Sequence, residues 1–426
     1  MTPRNPVGLR PRTYLSLVGR WMALLVSSAT LAPAPGTALA AGTDQAASDR
    51  PLDVALVPIV GGDTDIGFGA GALGSVARLD PNREPFRWRL EGAAFATVRP
   101  RRGPRLEWPY QDVFVGYSHN GLLSNRLRFE ARLSFTRETD LRYYGIGNAS
   151  VAPAEDIRER DFFTRTHPTV RARARIALTP AMAVVFGSIY TFSWLDFDPS
   201  SRLAQDLTTG SSRLRALLQV DRIHDLQLFE AGLLFDTRDD EIAPARGQFH
   251  QIEVRLAPWK SSRLPYRYGE LHTSLRFYWP VLADRLILAV RTVGYLQVGD
   301  VPFYELARYD ETSALGGAKG VRGIPKNRYY GKRKAFANIE ARARLFTFRV
   351  RNSEYQLGLA GFFDGGRVWA DLSSAPELDG SGLGLKYGTG GGIRLQKGTT
   401  FVLRVDLAWS PDARPLGGYF LAGHLF

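Results

Sequence analysis

The sequence predicts an all-β fold, a transmembrane antiparallel β-barrel of about 16 strands with a long loop, about residues 298–331, folded into its lumen. Three observations predict it. Side chains alternate with period two over long stretches, charged residues on one parity and apolar residues on the other. The stretches run about 10 to 15 residues, longer than the usual strands of soluble sheets and suited to a tilted membrane crossing. Short and long connections alternate along the chain, as they do when one rim of a barrel carries tight turns and the other carries long loops.

The N-terminus carries Arg4, Arg10, Arg12 and Arg20, a mostly apolar run over Trp21–Leu31 and a small-residue cleavage site at Ala38-Leu39-Ala40. Together these read as a secretory signal peptide, residues 1–41. The apolar run falls short of the about 20 residues a membrane anchor needs. Residues 42–52 read as a short periplasmic tether and residues 53–426 as the barrel. The chain carries a formal charge of +13 and no Cys, which removes disulfides and thiolate metal sites.

Strands are expected at 53–61, 65–79, 85–98, 111–119, 124–137, 160–178, 181–195, 226–239, 247–258, 266–281, 284–297, 332–346, 355–369, 386–395, 398–410 and 417–426. The alternation is plainest where Arg126, Arg128, Glu130 and Arg132 interleave with Leu127, Phe129, Ala131 and Leu133. It recurs in Arg171, Arg173 and Arg175, and again in Asn338, Glu340, Arg342 and Arg344. Near the end, Arg404 and Asp406 oppose Leu403, Val405, Leu407 and Trp409. Aromatic residues gather at strand ends, in Tyr143-Tyr144, Trp194, Tyr278-Trp279, Tyr329-Tyr330 and Trp369, where interface girdles sit. The short connections include Asn120–Leu123, Thr179-Pro180 and Leu282-Ala283; the long ones include Glu138–Glu159, Asp196–Asp225 and Val298–Gly331.

The inward parity is rich in Arg. A low-dielectric wall lined with one sign of charge focuses potential, so such a lumen favours anions or acidic segments. The plainer reading is that these Arg pair with inward Glu and Asp on neighbouring strands.

One stretch is neither strand nor ordinary turn. Leu315–Tyr330, LGGAKGVRGIPKNRYY, is Gly-rich and basic and lies between two strand patterns. A Gly-flanked Arg322 allows a tight backbone and extends a permanently charged fork that suits a carboxylate. It reads either as a loop turned into the barrel with Arg322 against an acid of the wall, or as a solvated basic loop.

Enzyme chemistry finds little support. His119, His167, His224, His250, His272 and His424 are the histidines; His167 and His224 lie near long loops, and Asp221 and Asp225 flank His224, but isolated polar histidines in wet loops are the plainer reading. No GxSxG, HExxH or Walker pattern is present. Asp236, Asp239 and Asp240 read as a turn-forming cluster in preference to a cation site. The expectation is therefore no enzyme, no cofactor, no catalytic residue and no metal.

The motifs taken together resemble a known family. Leu315-Gly316-Gly317, Val321-Arg322-Gly323 and Asn338-Ile339-Glu340-Ala341-Arg342 resemble the sixth-loop and following-strand signature of the BamA/TamA family, the bacterial surface antigen barrels. Phe362-Phe363-Asp364-Gly365-Gly366 resembles the next-strand motif, Asp236-Thr237-Arg238-Asp239 the mid-barrel turn, and Tyr143–Asn148 a frequent loop motif. The chain ends on Phe426, as these barrels commonly close. The resemblance implies that the lumen-loop motif Val321, Arg322 and Gly323 enters the barrel and that Arg322 meets Asp364, with Glu340 as the other candidate wall partner. The sequence departs from the family at Ile324, where an aromatic is usual, and residues 42–52 are too few for a polypeptide-transport-associated module. What the resemblance implies for function is insertion or translocation of polypeptide or lipid at the outer membrane; the alternative is a passive, anion-leaning channel gated by Leu315–Tyr330. Implied partners are outer-membrane lipids and lipopolysaccharide, the outer-membrane assembly machinery that would insert the barrel, and a separate periplasmic partner protein, with no nucleic acid.

Overall fold

The computed structural model describes residues 52–80, 86–100, 106–151, 161–283, 285–308, 315–350, 353–397, 401–413 and 416–426. The expected signal peptide and all of the tether but Leu52 lie outside them.

Sixteen strands form the barrel: β1 Leu52–Asp63, β2 Gly67–Arg78, β3 Trp88–Pro100, β4 Tyr110–Gly121, β5 Leu127–Arg142, β6 Phe162–Ala177, β7 Met182–Phe197, β8 Ile223–Asp236, β9 Gly247–Ala257, β10 Tyr268–Leu282, β11 Leu286–Gly299, β12 Arg333–Val350, β13 Ser353–Trp369, β14 Lys386–Lys397, β15 Phe401–Trp409 and β16 Gly417–Ala422. A two-residue strand, Leu106–Glu107, pairs with the end of β3. Every barrel strand is antiparallel to its sequence neighbours, and β1 closes the ring against β16.

The two parities do different work. On β9, Glu253 and Arg255 are buried inward, whereas Ile252, Val254 and Leu256 are exposed; on β8, Leu228, Glu230 and Leu234 are buried against exposed Phe229 and Leu233. Val113, Val115, Ile339, Leu359, Phe363 and Leu407 continue the outward apolar surface around the ring. A contiguous apolar belt of this extent is the face of a protein that meets lipid. The inward acids and arginines meet one another: Arg171 bonds Glu230 at 3.1 Å, Arg173 bonds Glu253 at 3.1 Å, and Arg255 bonds Glu253 at 3.0 Å. The plainer reading of the arginine-rich wall therefore describes β6 to β10.

Two expectations need correction. Of the aromatic residues assigned to girdles, Trp194 and Trp279 are exposed at strand ends, but Tyr143, Tyr144, Tyr278, Tyr329 and Tyr330 are buried. Strand-end position alone does not separate a lipid-facing ring from one that turns inward. The last strand also ends early. Gly423 takes φ +82°, which turns the chain inward, and Phe426 is buried beside Tyr278 and Ala289. Phe426 thus lies inside the wall of β10 to β12, and the residues that close the barrel are Tyr419 and Phe420.

The closure is short. Among the described residues, β1 meets β16 at Gly62 with Phe420 and Asp63 with Tyr419, supplemented by Thr64 N to Gly418 O at 3.1 Å. By contrast, β1 pairs with β2 along its whole length, Leu52 with Arg78 through Asp63 with Gly67.

The long-loop rim carries its own core. Helices α1 Arg202–Thr209 and α2 Ser212–Leu217 begin at Ser201 and Ser211, whose hydroxyls accept from Ala204 N and Leu214 N. They occupy the stretch that the sequence pattern leaves without periodicity. Leu203 and Leu217 from these helices pack with Tyr143, Ile146, Phe303, Leu306 and Tyr330 in one apolar cluster over this end of the lumen.

Candidate functional site

Residues 315–330 descend from the long-loop rim into the barrel. The turn is tight: Gly317 N donates to Ile324 O at 2.7 Å and Val321 N to Leu315 O at 2.5 Å. Gly323 adopts φ +90°, and a Cβ there would lie 2.8 Å from the Trp409 carbonyl carbon. The wall makes room as well, since a Cβ at Gly388 would lie 1.9 Å from Arg322 O. Ile324, the departure from the family pattern, is fully buried with Val293, Leu315, Val321, Phe336 and Val368. An aliphatic side chain fills that position.

Arg322 is fully buried and grips three acids of the wall. Nε donates to Asp364 Oδ2 at 2.7 Å and Nη2 to Asp364 Oδ1 at 2.9 Å, a bidentate fork, while its backbone N reaches Asp364 Oδ2 at 3.1 Å. Nη1 donates to Glu340 Oε1 at 2.5 Å and to Asp406 Oδ2 at 3.2 Å. The guanidinium lies 3.4 Å from the centre of the Phe362 ring. Burial alone would lower the pKa of this group, but Asp364, Glu340 and Asp406 outweigh it and hold it above the ordinary arginine range.

The structure thus brings Arg322, Asp364 and Glu340 together, with Val321 and Gly323 at their flanks. Sequence reasoning placed Asp406 on the inward parity without giving it to Arg322, and it passed over Tyr419 and Phe362. Tyr419 OH accepts from Gly323 N at 2.8 Å, a contact between the lumen loop and the last strand. The parity of Phe362 relative to Asp364 was the available signal for its ring.

The rest of the loop is clamped by other walls. Asn338 Nδ2 donates to Gly320 O at 2.8 Å, Arg404 Nη2 to Ala318 O at 3.3 Å, and Arg291 to Lys319 O. Lys326 N donates to Asp65 Oδ2 in the β1–β2 turn at 2.8 Å, and Lys326 Nζ meets Glu138 at 2.9 Å. At the rim, Gly147 N donates to Tyr330 O at 2.8 Å and Asn148 Nδ2 to Gly384 O at 2.7 Å, so the Tyr143–Asn148 motif ties the lumen loop to the β13–β14 connection.

The remaining candidates have structural partners. Asp236 holds Arg238 through Nε at 2.9 Å and Nη2 at 2.8 Å. Asp239 and Asp240 accept backbone N–H groups of the same turn. His224 bonds Tyr304 OH at 2.6 Å and the Asp221 carbonyl at 2.8 Å, and Asp225 is engaged by Arg263 at 3.1 Å. No group of three or more His, Asp or Glu suited to a metal occurs among the described residues.

Residues 107–423 match the Omp85 superfamily domain. The chain belongs to the Omp85 superfamily. Among solved structures, BamA from Haemophilus ducreyi lacking POTRA domains 1–3 aligns with 88% of this chain and 70% of that one, TM-score 0.59, at 11% identity. CdiB from Escherichia coli aligns with 88% of this chain and 63% of that one, TM-score 0.55, at 14% identity. Both share the barrel fold. No curated protein matches the sequence.

Proposed function

We propose that the chain is an outer-membrane barrel, exported by the signal peptide at residues 1–41, that assists insertion or translocation of polypeptide or lipid through the seam between β1 and β16. The observation that carries this reading is the shortness of the seam. Each residue pair of an antiparallel ladder adds hydrogen bonds, so a junction held at Gly62–Phe420 and Asp63–Tyr419 opens at far lower cost than any other in the ring. Opening there exposes strand edges beside the bilayer, and an unpaired edge is a template for another strand. Lipids and lipopolysaccharide would surround the outward face, the outer-membrane assembly machinery would insert the barrel, and a periplasmic partner would deliver the client.

The rival reading is a passive, anion-leaning channel gated by Leu315–Tyr330. Against it stand the fully buried Arg322 cluster in the lumen and the apolar cluster over the long-loop rim.

The test is depletion followed by an inventory of outer-membrane proteins and lipids, with complementation by a Thr64→Cys/Gly418→Cys variant. A Cβ at Gly418 would lie 3.6 Å from Thr64 Cγ2, a γ position that the sulfur of a Cys at 64 can take, so the two sulfurs come within bonding reach. The chain has no other Cys. Depletion is expected to change the inventory, and the reduced variant to restore it where the oxidised one does not. Full rescue by the cross-linked form, or an unchanged inventory, contradicts the proposal.

A further inference from the structure

The arginines of β12, β14 and β15 are not all neutralised. On successive strands, Arg344 faces Gly358, Gly358 faces Arg394, and Arg394 faces Arg404. Like charges directly opposite destabilise a sheet, and Gly358, with no side chain, leaves a notch between two of them. The nearby acids are spent. Glu340 serves Arg322, Arg342 and Arg394; Asp364 serves Arg322; and Asp406 serves Arg322, Arg394 and Arg404. Four guanidiniums, those of Arg322, Arg342, Arg394 and Arg404, thus share three side-chain carboxylates.

Donors are left over. Arg342 bonds Glu340 through Nε at 2.8 Å and the Phe426 oxygen through Nη2 at 2.9 Å, but its Nη1 is buried without a partner among the described residues. Arg394 Nε and His424 Nδ1 are in the same position. Arg342 and Arg394 are each 4% exposed. These three residues line one cavity with Arg344, Gln356 and Gln396, beneath Ala243 and Pro244 of the β8–β9 turn at the short-turn mouth. A buried charged donor without an acceptor costs more than a neutral one, so this arrangement calls for an acceptor. It must be anionic, because the surrounding excess is positive, and it must offer more than one oxygen, because the free guanidinium N–H groups of Arg342 and Arg394 come from two strands, with His424 Nδ1 a further donor in one tautomer.

We propose that this cavity binds a compact oxyanion, a phosphate or carboxylate group, at the short-turn mouth of the lumen. The site is independent of the seam and of any insertion activity. A lipid headgroup and a soluble anion present the same chemistry, and the experiment separates them.

The full chain in detergent is titrated by calorimetry at constant ionic strength with inorganic phosphate, with acetate, and with a short-chain phosphatidylglycerol. The expected result is saturable binding at one site. Saturation by phosphate or acetate alone supports the proposal with a soluble ligand, and saturation by the lipid alone supports it with a headgroup. Arg344→Gln should weaken binding about tenfold, the worth of one charge-assisted hydrogen bond. Gln356→Glu should abolish it by placing a carboxylate in the cavity. Both residues are half-buried and lie outside the Arg322 cluster, so the folded electrophoretic mobility of each variant should match the parent. His424→Gln, at the far side of the cavity, is the third variant, expected to weaken binding without removing a charge pair. Absence of saturable binding in every arm, or binding untouched by all three substitutions, overturns the proposal.

Discussion

Replacing Arg322 by Ala removes four side-chain hydrogen bonds from a site with no exposure to solvent. The three acids do not suffer alike. Glu340 keeps Arg342 at 2.8 Å and Arg394 at 3.5 Å, and Asp406 keeps Arg394 at 2.5 Å and Arg404 at 3.6 Å. Asp364 has no other ion-pair partner among the described residues, so it is left as a buried, uncompensated carboxylate. Breaking a buried pair in this way costs about 3–5 kcal/mol, a large share of the about 5–15 kcal/mol that separates folded from unfolded chains. The double variant Arg322→Ala/Asp364→Ala should cost less than Arg322→Ala alone, because the stranded charge goes with its partner. The swap Arg322→Glu/Asp364→Arg should restore stability only in part, since a Glu at that position also faces Glu340 and Asp406. The assay is urea unfolding followed by the mobility difference between folded and heated protein, with limited proteolysis of residues 315–330 as a second readout. An Arg322→Ala variant with the parental urea midpoint and a protease-resistant loop would refute the assignment. Rescue through Glu340→Arg but not Asp364→Arg would transfer the pairing to Glu340.

Other outcomes follow from the same geometry. Gly323→Ala forces a side chain onto a backbone at φ +90° and to within 2.8 Å of Trp409, so it should destabilise by about 1–3 kcal/mol, read as a lower urea midpoint. Leu233→Arg, on the outward face of β8 and half exposed, should cost about 2–4 kcal/mol if it lies near the bilayer midplane. The same change on a water-facing surface would stay within about 0.5 kcal/mol, so refolding yield into lipid vesicles separates the two cases.

Much of the barrel was legible because its information is local. Period-two alternation fixes which side chains face the lumen, and connection lengths fix which rim is which, so a count of about 16 strands and the inward parity of Glu340, Asp364 and Asp406 could be read from the sequence. What could not be read depends on the third dimension. Tyr143 and Tyr330 sit at strand ends like girdle residues, yet loops fold over them and they become the core of the rim. Phe426 continues the strand parity in sequence, but the turn at Gly423 sends it inward. Asp406 joins Arg322 only because β15 and β12 lie on the same arc of the wall, although Glu340 and Asp406 are far apart in the chain. The two helices over 202–217 fall where the pattern lapses, and a lapse says only that a strand is absent.

The claim on which the account rests is that the lumen loop, held by Arg322 and roofed by the rim cluster, keeps the resting barrel shut. Planar-bilayer recordings of the purified protein, with and without residues 315–330, test it most directly. The account predicts no steady conductance from the intact chain and a sustained conductance once the loop is removed. A large, steady, anion-preferring conductance from the intact protein would contradict it and favour the channel.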